Sequence, residues 1–227
     1  MYKRKLQTDL MNIENYKILI SNLPVRQQCF NTKRSTWKSA EKIEWLLELN
    51  NKLFATNEKL NISRQDIFDS NGSIREMILK TIYWGYTGGM RGNHFVNIMG
   101  NMFLLESTLK EYQAKSSLSG KDFQELEKVF KNIPGLGLST YSKLLYFLGI
   151  RFNQNPCLIL DQRLIDVFAS KFYCDFKILE GINDYNKENK YLDYLQVIND
   201  LSQKLNTEGE NIELFLFIFG NNLKITE

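Results

Sequence analysis

The sequence holds few of the residues that soft-metal and redox centres require. Three cysteines, Cys29, Cys157 and Cys174, are scattered without a CxxC pair, and His94 is the one histidine. Zinc and iron–sulfur sites need several clustered thiolates or imidazoles, so no metal site of that kind is expected. An odd, dispersed cysteine set fits a reducing compartment. Three prolines are too few for a Pro-rich disordered chain. No run approaches the roughly 18 apolar residues of a membrane span. The start, MYKRKLQTDL, is basic but lacks the apolar core of a signal peptide. A cytoplasmic protein without a membrane partner is therefore expected.

What is present is ordinary for a globular protein: 43% hydrophobic and 24% charged residues in a chain of 227. That length can bury a substantial core, as one domain or as two small lobes. The net charge of +3 says little, but its distribution says more. No acidic residue occurs from Met77 to Leu105 or from Lys128 to Leu160, whereas Lys80, Arg91, Lys128, Lys131, Lys143 and Arg151 do. Residues 175–213 are acidic on balance. An acid-free basic face suits a polyphosphate ligand, because a carboxylate there would repel it. Chance segregation of charge would look the same.

Nearly every segment reads as helix. Residues 39–53 place Ile43, Leu46, Leu47 and Leu53 at helical spacing. Ser63 with Asp66, and Ser73 with Glu76, have the spacing of capping boxes that open two further helices. The second of these is expected to stop at the glycines of Trp84-Gly85-Tyr86-Thr87-Gly88-Gly89. Further helices are expected over about 93–115, 121–132, 161–173, 188–205 and 210–220. No alternation marks a large sheet. The expected architecture is mostly α, with at most a few short strand pairs near the amino terminus.

The strongest motif is Ile133-Pro134-Gly135-Leu136-Gly137, between an amphipathic helix and the segment Ser139–Leu145. Pro134 lacks an N–H and disfavours helix in the residue before it, so it ends the first helix. The glycines allow a tight turn and a close backbone approach. The second helix then starts with free amides directed outward, a site for an anion. Gly135, Gly137 and Ser139 are thus candidates for holding a DNA phosphate without reading sequence. A plain helix connector would use the same residues.

After the second helix comes the loop Gly149–Pro156, and then Cys157-Leu158-Ile159-Leu160-Asp161-Gln162-Arg163. The order of hairpin, helix, apolar segment and Asp resembles the helix-hairpin-helix DNA glycosylases, 8-oxoguanine glycosylases among them. The scarcity of cysteine separates this chain from members that carry a four-cysteine iron–sulfur cluster. The resemblance implies a two-lobed helical fold, with the amino-terminal sheet reduced or absent. In outline the whole chain, 1–227, would form one compact unit of two lobes, with 120–175 carrying the hairpin and the catalytic Asp. It also implies double-stranded DNA as partner, removal of a damaged or modified purine by base flipping, and a monomer. No organic cofactor is implied; a monovalent cation at the hairpin is.

In the family, the Asp matching Asp161 supports glycosidic cleavage by stabilising positive charge on the sugar. A plain helix N-cap would also place Asp there. Bifunctional members carry a nucleophilic Lys two residues beyond the last hairpin glycine. Ser139 stands at that place here, and Lys143 follows one helical turn later on the same face. Lys143 is the candidate nucleophile, with a phosphate-contacting or solvated lysine as the alternative. The last helix of 8-oxoguanine glycosylases sets a polar residue against the flipped base and, four residues on, a stacking Phe. Glu213 and Phe217 match that spacing, although Phe215, Phe217 and Phe219 together also read as a core stripe. Trp84 and Arg91, in the Gly-rich segment 83–94, are further base-pocket candidates. A non-catalytic hairpin DNA-binding module, or a helical interaction protein with an incidental basic surface, would share many of these features.

Overall fold

The computed structural model describes residues 10–70 and 72–223. The basic segment 1–9, read above as no signal peptide, lies outside the described residues, as do Asn71 and residues 224–227.

In chain order the helices are α1 (Lys17–Ser21), α2 (Glu44–Phe54), α3 (Arg64–Phe68), α4 (Ile74–Gly85), α5 (His94–Gly100) and α6 (Met102–Ala114). There follow α7 (Gly120–Lys131), α8 (Leu138–Phe147), α9 (Gln162–Ser170), α10 (Lys187–Leu205) and α11 (Gly209–Phe219). Four 3-10 segments join them: Ile13–Tyr16, Val25–Gln27, Arg34–Lys42 and Cys174–Leu179. The strands are short: β1 (Cys29–Lys33) pairs antiparallel with β2 (Lys59–Ser63), and β3 (Arg151–Phe152) with β4 (Asn155–Pro156). The fold is mostly α, and its longer strand pair lies toward the amino terminus.

The local signals act where their chemistry predicts, with four adjustments. Ser63 and Asp66 form a reciprocal capping box, but α3 closes after five residues. Ser73 caps α4 through Glu76 N, yet the Glu76 carboxylate turns to Lys52 and Lys80 rather than back to the cap. The expected helix 39–53 starts only at Glu44, because residues 34–42 wind as a 3-10 segment interrupted at Trp37. Trp37 explains the kink: its ring stacks on Tyr83 at 4.3 Å and its Nε1 donates to Thr32 Oγ1, 2.9 Å, so tertiary packing overrides helix periodicity there. The expected helix 93–115 is divided at Asn101, which ends α5 and precedes α6.

The chain forms two compact units. The central unit runs from Pro24 to Ile159; the terminal unit combines, among the described residues, 10–23 with 160–223. The boundary passes through the 120–175 segment, so the hairpin belongs to the central unit and Asp161 to the terminal unit.

In the central unit α4 packs against α8, α6 and β1. Met77, Ile78, Leu79, Ile82 and Tyr83 fill its buried face. In the terminal unit α11 packs on α9, α10 and α1. The two chain segments are tied by Met11 N to Phe172 O, 2.8 Å, and Cys174 N to Met11 O, 3.1 Å. Ile13 N donates to Asp175 Oδ2, 2.9 Å, and Asn211 Nδ2 to Ile20 O, 3.1 Å.

Glu76 gives the central unit a pH-dependent tie. Burial alone would raise its carboxyl, but the hydrogen bonds from Lys52 (2.7 Å) and Lys80 (2.8 Å) outweigh it and hold the group below the usual carboxylate value. Stability from a depressed carboxyl is present above its unfolded value and is lost as pH falls through the folded one. Glu76→Gln should therefore destabilise at pH 7 by about 1–3 kcal/mol. The lower part of that range is favoured because Lys52 is largely solvent-exposed and screened. The difference from the parent protein should shrink as pH drops below the ordinary carboxylate range, as urea melts at the two pH values would register.

Candidate active site

The hairpin turn is held by packing on one side and left open on the other. Ile133 and Leu136 are buried, and Leu136 N donates to Ile133 O, 3.1 Å. Gly135 has φ +90°, and a Cβ built there would lie 2.6 Å from His94 Cβ and Cγ. Only glycine combines that backbone with so close a neighbour. Exposed His94 thus serves as the floor of the turn. Gly137 is the N-cap of α8; it has no side chain to cap with, and a Cβ there would meet nothing within 4 Å. The first turn of α8 consequently lacks a side-chain cap: Thr140 N donates to Gly137 O, 2.8 Å, and the Leu138 and Ser139 amides next to exposed Gly137 are the ones left to an anion.

Lys143 is 4% exposed. Its side chain folds back one turn along α8, so that Nζ donates to the Ser139 carbonyl and lies 3.4 Å from Ser139 Oγ. The aliphatic stem runs along the bare backbone of Gly85, where a Cβ would approach Cδ and Cε to 3.1 Å. The Tyr86 ring centroid is 5.6 Å from Nζ, and the Tyr86 hydroxyl is hydrogen-bonded to Thr140 Oγ1, 2.6 Å. The Lys143 amine therefore lies one turn back along α8, hydrogen-bonded to the residue at 139. Ser139, expected to contact phosphate, is half-buried and directs its carbonyl and hydroxyl at this amine.

In the terminal unit, Asp161 is the N-cap of α9. Its Oδ1 accepts from Arg163 N at 3.0 Å and Leu164 N at 3.3 Å, which leaves Oδ2 outside the cap and the residue half-buried. The cap fixes the carboxylate on the end of a helix whose dipole favours its charge. Capping and a catalytic role draw on different oxygens. α11 packs on α9, and the half-buried Phe217 ring lies 4.7 Å from the Arg163 guanidinium. Asn221 Nδ2 donates to Arg163 O, 3.1 Å. Glu213, one turn before Phe217, is 1% exposed, while buried Phe215 packs its ring, tilted, against half-buried Tyr16. Of the three phenylalanines in the stripe, Phe215 is a core residue, and Phe217 and Phe219 are half-buried.

The other candidates fall in different surroundings. Trp84 is 3% exposed, donates from Nε1 to Gln28 O at 3.3 Å, and packs against Phe30 and Phe147. It is a packing residue of the central unit, because it lies on the α4 face turned to β1 and α8 rather than on the Gly-rich loop that follows. Arg91 is exposed on that loop. The acid-free stretches are not acid-free in space: Lys80 pairs with Glu76, Lys128 with Glu125 and Lys131 with Glu127. Each partner sits three or four residues upstream, just outside the stretch. Tyr86 stood in the candidate segment without a role, and Arg163 was unassigned. Its signal, a cation in the first turn after the Asp, becomes legible only once α11 is packed beside α9.

Among the described residues there is no cluster of three or more His, Cys, Asp or Glu that could hold a metal, and no helix is long and apolar enough to cross a membrane. A family profile described as "Putative 8-oxoguanine DNA glycosylase OGG-like protein" matches residues 23–217. No curated protein matches the chain, and no solved structure does.

Proposed function

Because the chain belongs to the OGG-like 8-oxoguanine DNA glycosylase family, we propose that it excises a damaged or modified purine, 8-oxoguanine foremost, from double-stranded DNA and cleaves the resulting sugar through Lys143. One observation carries the reading: the Lys143 amine is folded back to Ser139, two residues past the last hairpin glycine.

In this reading the open amides beside Gly135 and Gly137 hold a backbone phosphate, and the target nucleotide is extruded from the stack. The Lys143 ammonium gives up a proton to the departing base, and the amine so freed forms a bond to C1′ as the glycosidic bond breaks, the bonding electron pair leaving with the base. The Asp161 carboxylate stabilises the positive charge that grows on the sugar. Loss of the amine proton and opening of the C1′–O4′ bond, with O4′ protonated, gives the Schiff base. Removal of a C2′ proton then expels the 3′ phosphate. Phe217 supplies a stacking face and Glu213 a polar group to the base.

The turn 132–140 contains no carboxylate, and two of its carbonyls, Ile133 O and Gly137 O, already accept backbone amides, so it would offer a monovalent cation only neutral main-chain oxygens. Such an ion would be held by the turn's main chain and add positive charge against the phosphate. No step above depends on it.

The test is borohydride trapping on an 8-oxoguanine duplex. A covalent adduct is expected with the parent protein and none with Lys143→Gln. Free base released without an adduct would leave water as the nucleophile and make the enzyme monofunctional. Duplex binding with neither adduct nor free base would favour a non-catalytic hairpin protein, the reading supported by the use of Asp161 as a cap.

A further inference from the structure

The slot around the Lys143 amine contains two residues to which the reaction scheme gives no task. Gly85 ends α4, and Tyr86 is its C-cap, with Tyr86 N donating to Ile82 O at 3.0 Å. The Tyr86 ring is thus anchored at its backbone by α4 and at its hydroxyl by Thr140 on α8. Between these anchors its face is turned to Lys143 Nζ. Gly85 supplies the opposite condition, a stretch of backbone with no side chain, against which the methylenes of Lys143 lie.

A lysine on a helix ordinarily samples many rotamers, and up to about 2 kcal/mol of side-chain entropy opposes any single one. Folding back onto position 139 needs room beside the stem and an attractive surface beside the ammonium. Gly85 gives the first, since a methyl there would press on Cδ and Cε. Tyr86 gives the second, because an aromatic face attracts a cation. The Tyr86–Thr140 bond keeps that face in register with α8, the helix that carries the lysine.

We infer that Gly85 and Tyr86 are positioning residues that hold the Lys143 amine at the reactive place, compensating for the missing lysine at 139. This inference rests on the assignment of Lys143 as nucleophile, and it has a readout of its own. Misplacing a nucleophile by about 1 Å can cost on the order of a hundredfold in rate.

Tyr86→Leu is therefore expected to slow adduct formation roughly ten- to a hundredfold. Tyr86→Phe, which keeps the ring but loses the tie to Thr140, should fall between the parent and Tyr86→Leu, recovering most but not all of the rate. Gly85→Ala should slow trapping like Tyr86→Leu while leaving the melting temperature unchanged or higher, because alanine favours helix. A purely structural role would move stability and trapping together.

The second measurement needs no substrate. In the free protein labelled with 13Cε-lysine, the Lys143 resonance, identified by its loss in Lys143→Gln, should be shifted by the Tyr86 ring current. The shift should vanish in Tyr86→Leu and persist in Tyr86→Phe. An unshifted resonance, or Tyr86→Leu trapping at the parent rate, would overturn the inference. A ring-shifted resonance in a protein that traps no DNA would support the placement and dismiss the lyase step, so the two failures are distinguishable.

Discussion

Asp161→Asn is expected to slow base release by about two to three orders of magnitude while folding and duplex affinity persist. The helix cap uses Oδ1 alone, accepting from Arg163 N and Leu164 N. Asparagine retains that acceptor and caps about as well as aspartate, so α9 should remain intact. On the proposed mechanism the substitution removes a negative charge that acts on the developing oxocarbenium ion, a contribution to the transition state and little to ground-state binding. Single-turnover release of free base, with anisotropy titration of the same duplex, separates the two terms. Asp161→Ala should additionally lose roughly 0.5–2 kcal/mol of stability, because it removes the cap as well. An Asn variant that releases base at the parent rate would confine Asp161 to its structural task.

The second large effect falls on the turn. Gly135→Ala places a Cβ 2.6 Å from His94 Cβ and Cγ and 2.8 Å from His94 Cα, at φ +90°. Relief cannot come from a flexible side-chain tip, since one of the atoms is backbone and the others adjoin it. The left-handed backbone costs an L-residue about 1–2 kcal/mol. Overpacking of a tight site adds about 1–3 kcal/mol. A loss of roughly 2–5 kcal/mol in chemical denaturation is expected, together with weakened duplex binding on the proposed reading of the turn as a phosphate site. Gly137→Ala is the matched control: a Cβ there meets nothing within 4 Å, so stability should change little. If both variants melt like the parent protein, His94 does not support the turn in the way described.

Much of the fold was legible because short-range chemistry decides it. The Ser63/Asp66 box, the stop at Gly85, and the Pro134–Gly137 turn each follow from side-chain hydrogen bonding or from permitted backbone angles within a few residues. Where the reading slipped, distant partners had intervened. The kink at Trp37 follows from a ring stacked on Tyr83, far along the chain. Trp84 resembles a stacking residue by composition, but its partners Gln28, Phe30 and Phe147 lie on three other segments.

The candidate site divides in the same way. The amine of Lys143 was predictable from helical spacing alone, since 139 and 143 share a face. Its cradle was not, because Gly85 and Tyr86 reach it only through the packing of α4 on α8. The face of Phe217 is described by its spacing from Glu213, whereas the guanidinium of Arg163 beside it depends on how α11 lies against α9.

The terminal unit is assembled from both ends of the chain, and this imposes an order on its birth. During translation the central unit has all its own contacts once residue 159 has left the ribosome. Ile13 and Ile20, fully buried in the finished protein, must wait in solvent until α11, which packs on α1, has emerged. That interval exposes apolar surface on a nascent chain, a state prone to aggregation and a natural client for a chaperone. Asp161 therefore belongs to the later of these two units to mature.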